Sequence, residues 1–181
     1  MASVRFARMA SGAPLAFDPI AEAQRQWEAH GWGDAAPGMA MVTSIMRVQQ
    51  VLIGHVDRAL REFGLTFARY EVLMLLLFSR KGSLPLGKVG ARLQVHPASV
   101  TNVVDRLEAD GLVRRVPHPS DGRTTLAEIT PAGRDLAQRA TGVLNAAVFE
   151  PVALNGRQVD QLVGLLRRLR LAEGDFDPAS A

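Results

Sequence analysis

The sequence predicts a mainly helical (α+β) fold: a winged helix-turn-helix lobe with further N- and C-terminal helices placed for dimerisation. Three observations carry this expectation. A helix opens at Pro97 and stops at Gly111, with Val100, Val103, Val104 and Leu107 on one face and Ser99, Thr101, Asn102, Asp105 and Arg106 on the flanks and opposite side. A short helix from Leu86 to Leu93 precedes it, and two strand-like runs, the first of them basic, follow. Outside this lobe, Val143, Leu144, Val148, Leu162, Val163, Leu165, Leu166 and Leu169 supply more apolar surface than a free tail should show.

Each element has its own signal. Residues 1–17 carry little periodicity and are expected to be mobile. Asp18 or Pro19 opens a first helix that runs to His30 and is closed by Gly31, followed by a loop between Gly33 and Gly38. A long helix follows from Met39 to Phe63, with Met46, Leu52, Ile53, Val56 and Leu60 among its apolar positions, until Gly64 ends it. Thr66 caps a third helix to about Arg80, and Leu86 to Leu93 forms the fourth. Pro97 suits the first position of the fifth, where its missing N–H costs nothing. Strands are expected over 112–116 and 124–129, joined by a loop from Pro117 to Arg123 with an Asp-Gly turn signal at Asp121 and Gly122. Thr130-Pro131 starts a long helix broken near Pro151, and a last helix runs from about Asn155 to Leu171. The expected organisation is a flexible N-terminus (1–17), N-terminal dimerisation helices with a possible ligand crevice (18–63), the winged lobe (64–130), C-terminal dimerisation helices (131–172) and a tail (173–181).

The outer residues of the fifth helix suit the edges of bases. Asn102 has the geometry to pair with adenine, Ser99 and Thr101 donate or accept, and Arg106 reaches guanine or backbone oxygens. His96 and Pro97 stand at the helix N-terminus, whose unpaired N–H groups and dipole attract phosphate. Arg114 and Arg115 on the first strand add positive charge, and Arg123 near the tip of the wing is placed to enter a narrow minor groove. Asp121 would face phosphate with like charge, so its expected task is to hold Arg123 by a charge-assisted hydrogen bond. The competing reading of each position is an amphipathic helix or surface arginine with no ligand.

These residues resemble the multiple-antibiotic-resistance-regulator (MarR) family of bacterial winged-helix transcription factors. The resemblance lies in HPASVTNVVDRLEADGLVRR (96–115), DGR in the wing (121–123), LAEITPAGR (126–134) and, upstream, GLTFARYEVLMLL (64–76). It covers about residues 40–170, and the ordered combination is more specific than any one piece. It implies that Ser99, Thr101, Asn102 and Arg106 face the major groove and Arg123 the minor groove, with Asp121 orienting it. His96 stands where the family more often has a small polar residue and Asn102 where arginine is common, which implies a different operator preference. The resemblance also implies a homodimer with interlocked terminal helices, a pseudo-palindromic operator in double-stranded DNA, and more often repression relieved by a small ligand than activation. Such effectors are commonly small aromatic or phenolic acids held between the dimerisation helices and the lobe. Trp27, Arg47, His55, Tyr70 and Glu71 lie near that region. The helix carrying Trp27 resembles the extension of the urate-responsive branch, with Glu71 where that branch has aspartate; Trp27 reads equally well as a core or interface anchor.

Composition bounds the alternatives. The chain has 181 residues, 48% of them hydrophobic, which allows a sizeable core. It contains no cysteine, so disulfide and thiolate chemistry are excluded, and no required cofactor is expected. Of the four histidines only His55 has a carboxylate near in sequence, Asp57, a weak metal signal that leaves open convergence of distant histidines; neither a phosphate loop nor a Gly-x-Ser-x-Gly elbow occurs, so an enzyme is not expected. The apolar run from Val72 to Phe78 is too short to cross a bilayer and no signal-peptide core is evident, giving a cytoplasmic expectation without a membrane partner. Net charge is only +3, so attraction to nucleic acid has to be local. The alternative from another class is a winged-helix protein-interaction module without specific DNA binding.

Overall fold

The computed structural model describes residues 15–177. Among them, seven helices and three strands follow in the order α1 (Pro19–Ala29), α2 (Ala36–Arg61), α3 (Phe67–Phe78), β1 (Ser83–Pro85), α4 (Leu86–Leu93), α5 (Pro97–Ala109), β2 (Val113–His118), β3 (Asp121–Ile129), α6 (Pro131–Leu144) and α7 (Gly156–Ala172). A π-helical turn, Asn145–Phe149, extends α6 before Pro151. The expected mobile segment 1–17 lies outside the described residues except for its last three, and the tail 173–181 is described to Asp177.

The caps set these boundaries. Asp18, Thr66 and Thr130 each place a side-chain oxygen on an unpaired N–H of the first turn. Asn155 and Gln158 form a reciprocal capping box at the start of α7. Several boundaries depart from the sequence reading by one to three residues, and one strand was not expected. α2 begins at Ala36, ahead of Met39, because Pro37 occupies a first-turn position that needs no N–H. α3 stops at Phe78, ahead of Arg80, where Ser79 turns to extended backbone. β1 was not expected; at three residues it is too short to show a period, and only pairing with β3 defines it, with Ser83 opposite Glu128.

The wing departs further. β2 continues to His118 and β3 starts at Asp121, so Pro119 and Ser120 make the turn and the Asp121-Gly122 signal falls inside the strand. The register jumps from Pro117 opposite Thr125 to His118 opposite Asp121, a bulge that absorbs the extra residues of β3. The sheet is antiparallel in the order β1-β3-β2.

One core lies beneath the lobe. The C-terminal half of α2 (Val56, Leu60), α3 (Val72, Leu73, Leu76), α5 (Val100, Val104, Leu107), the sheet (Val113, Ala127, Ile129) and α6 (Ala137, Ala140, Leu144) converge there. Val103, placed on the buried stripe by its spacing, is partly buried at the edge. Packing is tight where the entry to β2 meets α6: a Cβ on Gly133 would collide with the Leu112 carbonyl oxygen, a backbone atom. α1 packs along α2, yet neither α1 nor α7 contributes a buried residue. Met46 and Leu52 of α2, expected among its apolar contacts, are exposed together with Met41, Val42, Ile45, Val48 and Val51. Among the described residues no helix is long and apolar enough to cross a membrane.

Candidate nucleic-acid interface

The surface of α5 is sorted by what its neighbours take. His96 caps the helix by accepting the Ala98 N–H on Nδ1 at 3.2 Å, which leaves Nε2 to face outward. Pro97 follows in the first turn, and Gly111, at φ +71°, ends the helix through a left-handed turn that a side chain would resist. Thr101 donates its hydroxyl to the Pro97 carbonyl at 3.2 Å and lines a shallow groove against α4, whose other walls include Gly87, Gly90, Gln94 and Val95. Ser99, Asn102 and Arg106 occupy one exposed stripe at helical spacing. This stripe borders the buried face and, with the exposed Thr101, is available to a ligand.

The other flank of α5 is committed to the wing. Arg115 donates to Asp105 at 2.5 Å through Nη2 and to Glu108 through Nη1, while its backbone N–H reaches the second oxygen of Glu108 at 2.8 Å. The backbone N–H of Arg115, its guanidinium and its charge hold the Glu108 carboxyl below its ordinary value. The side chain is only 26% exposed. Arg115, which the sequence reading gives to DNA, has its partly buried guanidinium on two carboxylates at the joint between α5 and β2. Arg114, one residue earlier, points the other way and pairs across the sheet with Glu128 at 2.5 Å, but it is 64% exposed and that pair is weak enough to exchange.

The wing tip is organised by Asp121. Its carboxylate accepts the Thr124 hydroxyl at 2.6 Å and the Arg123 backbone N–H at 3.0 Å, contacts that lower its pKa in that order of weight. The contact to Arg123 is thus made to the main chain, which shapes the bulge and leaves the exposed Arg123 side chain projecting. Lys88 and Arg92 add positive charge on the exposed face of α4.

The joint residues Asp105 and Glu108, and Glu128, which pairs with Arg114, were not among the expected site residues, and the pairing of Arg69 was not foreseen. Arg69 donates to the Gly64 carbonyl at 2.8 Å and pairs with Asp110 at the end of α5, so it ties the C-terminus of the helix to the α2–α3 turn. Its Nε is buried and finds no acceptor among the described residues. A carboxylate pair three residues apart followed by arginine beyond a helix stop is the available signal for the Arg115 joint; no local signal exists for a pair separated by 41 residues.

The five residues expected near an effector are used differently. Tyr70 is buried in the core, donating to or accepting from Thr141 at 2.9 Å and stacked on Phe67, so its phenol links α3 to α6. Trp27 meets Trp32 edge to face with ring centres 5.4 Å apart, and Trp32 stacks on His30. Arg47 is exposed and reaches Gln50, His55 is buried, and Glu71 is half-buried with its pKa raised by desolvation. No group of three or more potential metal ligands occurs among the described residues.

A short helix, a recognition-type helix and a two-stranded wing on one core define the class as a winged helix-turn-helix protein. Residues 65–125 match the family model described as "MarR family". Sco5413, a MarR family transcriptional regulator from Streptomyces coelicolor, is 52% identical with a TM-score of 0.71, the match covering 78% of this chain and 98% of that one. Sco3205 from the same organism, solved in complex with DNA, is 27% identical with a TM-score of 0.67 (77% and 91% covered). CouR from Rhodococcus jostii RHA1, solved bound to p-coumaroyl-CoA, is 30% identical with a TM-score of 0.65 (76% and 94% covered). The HTH-type transcriptional repressor Rv2887 of Mycobacterium tuberculosis is 35% identical over 103 residues, 57% of this chain and 73% of that protein. The chain belongs to the MarR family of transcriptional regulators.

Proposed function

We propose that two copies of this chain form a homodimer that binds a pseudo-palindromic operator in double-stranded DNA, acting as a repressor that a small ligand relieves. The observation that carries this reading is the exposed stripe Ser99, Asn102 and Arg106 beside the projecting Arg123, with the nearby carboxylates of Asp105 and Glu108 sharing the charge of Arg115. In this reading Ser99, Thr101, Asn102 and Arg106 meet base edges, His96 and Pro97 bring the helix N-terminus to phosphate, Arg114 exchanges Glu128 for the backbone, and Arg123 enters the minor groove. The complex of Sco3205 with DNA supports the mode, and the naming of Rv2887 supports repression.

Dimerisation follows from what the monomer leaves uncovered. Met41, Val42, Ile45 and Met46 on the N-terminal half of α2 and Leu162, Val163, Leu165 and Leu169 on α7, which contributes nothing to the core, are all exposed. A two-fold arrangement would bury both sets and set two α5 helices about one DNA turn apart, roughly 34 Å. The terminal helices, spanning 18–63 and 131–172, thereby serve as the dimerisation parts and 64–130 as the reading lobe, working on chromosomal DNA in the cytoplasm. CouR with an aromatic acyl thioester supports an aromatic or phenolic effector; the aromatic set Trp27, His30 and Trp32 and the exposed Arg47 supply matching chemistry. Such a ligand relieves repression only by binding better to a dimer whose lobe spacing is wrong for DNA.

The test is selection of duplexes from genomic fragments by the purified chain, repeated across salt, alongside sedimentation. A dimer that recovers a pseudo-palindrome with half-sites a helical turn apart supports the reading. Recovery of nothing above background by the ligand-free chain overturns it in favour of a protein-interaction module.

A further inference from the structure

The helix α7 buries no residue of its own, yet the five residues after it are held in place. Gly174, at φ +70°, turns the chain back on the helix, with its N–H on the Leu171 carbonyl and that of Asp175 on the Arg170 carbonyl. The Asp175 carboxylate pairs with Arg170 at 2.6 Å, and the Phe176 ring lies against the guanidinium groups of Arg167 and Arg170 at 4.9 and 5.3 Å. The result is a compact hook. Its outward carbonyl, that of Asp175, accepts a hydrogen bond from the side-chain amide of Gln94 at 2.5 Å, across 81 residues.

Gln94 is an unusual residue to find at that place. It is the C-cap of α4, in the turn of the helix-turn-helix, and has φ +53° and ψ +39°, a left-handed conformation that favours glycine. Among the described non-glycine residues it alone has positive φ. Glycine there would relieve the backbone but remove the amide that reaches the hook.

We infer that Gln94 is a positioning residue: its contact with the Asp175 carbonyl ties α7 to the helix-turn-helix turn and so sets where the reading lobe stands relative to the dimer interface. The inference rests on the dimer reading above, in which α7 carries the interface. A lobe held at both ends samples fewer orientations, so a larger fraction of free dimers has the operator spacing. Discrimination between half-site spacings is the property that such a tie supplies.

Two variants test it. Gln94→Gly removes the donor and relieves the left-handed strain, and deletion of residues 174–181 removes the acceptor while leaving Gln94 in place. Hydrogen exchange without DNA should rise in residues 94–96 of both variants and in 171–177 of Gln94→Gly, by about fivefold, the factor of one net hydrogen bond. The melting temperature of Gln94→Gly should hold or rise. Both variants should show about a fivefold smaller preference for the selected operator over one with a base pair added between half-sites, a change that rotates them by roughly 34–36°. Unchanged exchange at 94–96, or a wild-type spacing preference in both variants, would overturn the inference. A monomeric wild-type chain would instead overturn the dimer reading, and the exchange measurement would then decide the tie alone.

Discussion

Arg115→Ala separates a joint from a DNA contact. Arg115 holds two carboxylates of α5, Asp105 at 2.5 Å and Glu108, with a guanidinium only 26% exposed, while its backbone keeps a 2.8 Å bond to Glu108 that the substitution spares. Exposed pairs contribute about 0.2–1 kcal/mol each, so two pairs at a partly covered site put the loss of stability at about 1–2 kcal/mol. In the proposed complex the effect on DNA is larger than this suggests, because two carboxylates of the reading helix lose their counter-charge and repel phosphate over a Debye length of about 8 Å at physiological salt. The discriminating assay is operator affinity across salt. Removing one neutralised phosphate from each half-site would flatten the slope of log K against log salt by about 1.8, twice the ~0.9 per phosphate. A joint predicts weaker binding with a slope changed by less than half that amount. Flattening by the full value of about 1.8 would refute the assignment of Arg115 to the joint. Acidification gives a second check on sign: the folded state lowers the Glu108 pKa, so its stabilisation is present above the ordinary carboxylate range and fades as pH falls below it. In Arg115→Ala that acid-dependent part of the melting temperature should shrink.

Three further outcomes follow from particular contacts. Arg123→Ala should weaken operator binding by about 1–3 kcal/mol without moving the melting temperature, since its side chain is exposed at the wing; equal affinity in a gel-shift titration removes it from the groove. Gly133→Ala should destabilise the fold by about 1–3 kcal/mol or more in thermal melts, because the added methyl meets the Leu112 carbonyl, and wild-type stability would mean that β2 and α6 are free to separate. Tyr70→Phe should cost about 0.5–1.5 kcal/mol by leaving Thr141 without its phenol partner and should not alter effector release of DNA; an abolished effector response with stability intact would return Tyr70 to a ligand site.

The helices were legible because their signals are local. Asp18, Thr66, Thr130 and Asn155 cap within three residues of themselves, and the valine stripe of α5 repeats within one helix. The wing was less legible: Asp121-Gly122 is a strong turn pair, but the carboxylate of Asp121 is satisfied by Arg123 and Thr124 within the bulge, and the turn falls on Pro119 and Ser120. β1 was invisible because three residues have no period.

By itself, the sequence determined the helix order, the recognition-type helix and the basic strand, and through these the family, because caps, stops and periodicity act over a few residues. Only the tertiary structure decided how the arginines divide: Arg115 into a joint, Arg114 into an exchangeable pair, Arg69 onto the end of α5, and Arg123 outward. It likewise took Tyr70 into the core and brought Asp175 to Gln94. The reason is that an arginine's chemistry is the same wherever it stands, while its partner depends on which distant carboxylate or carbonyl the packed core delivers to it.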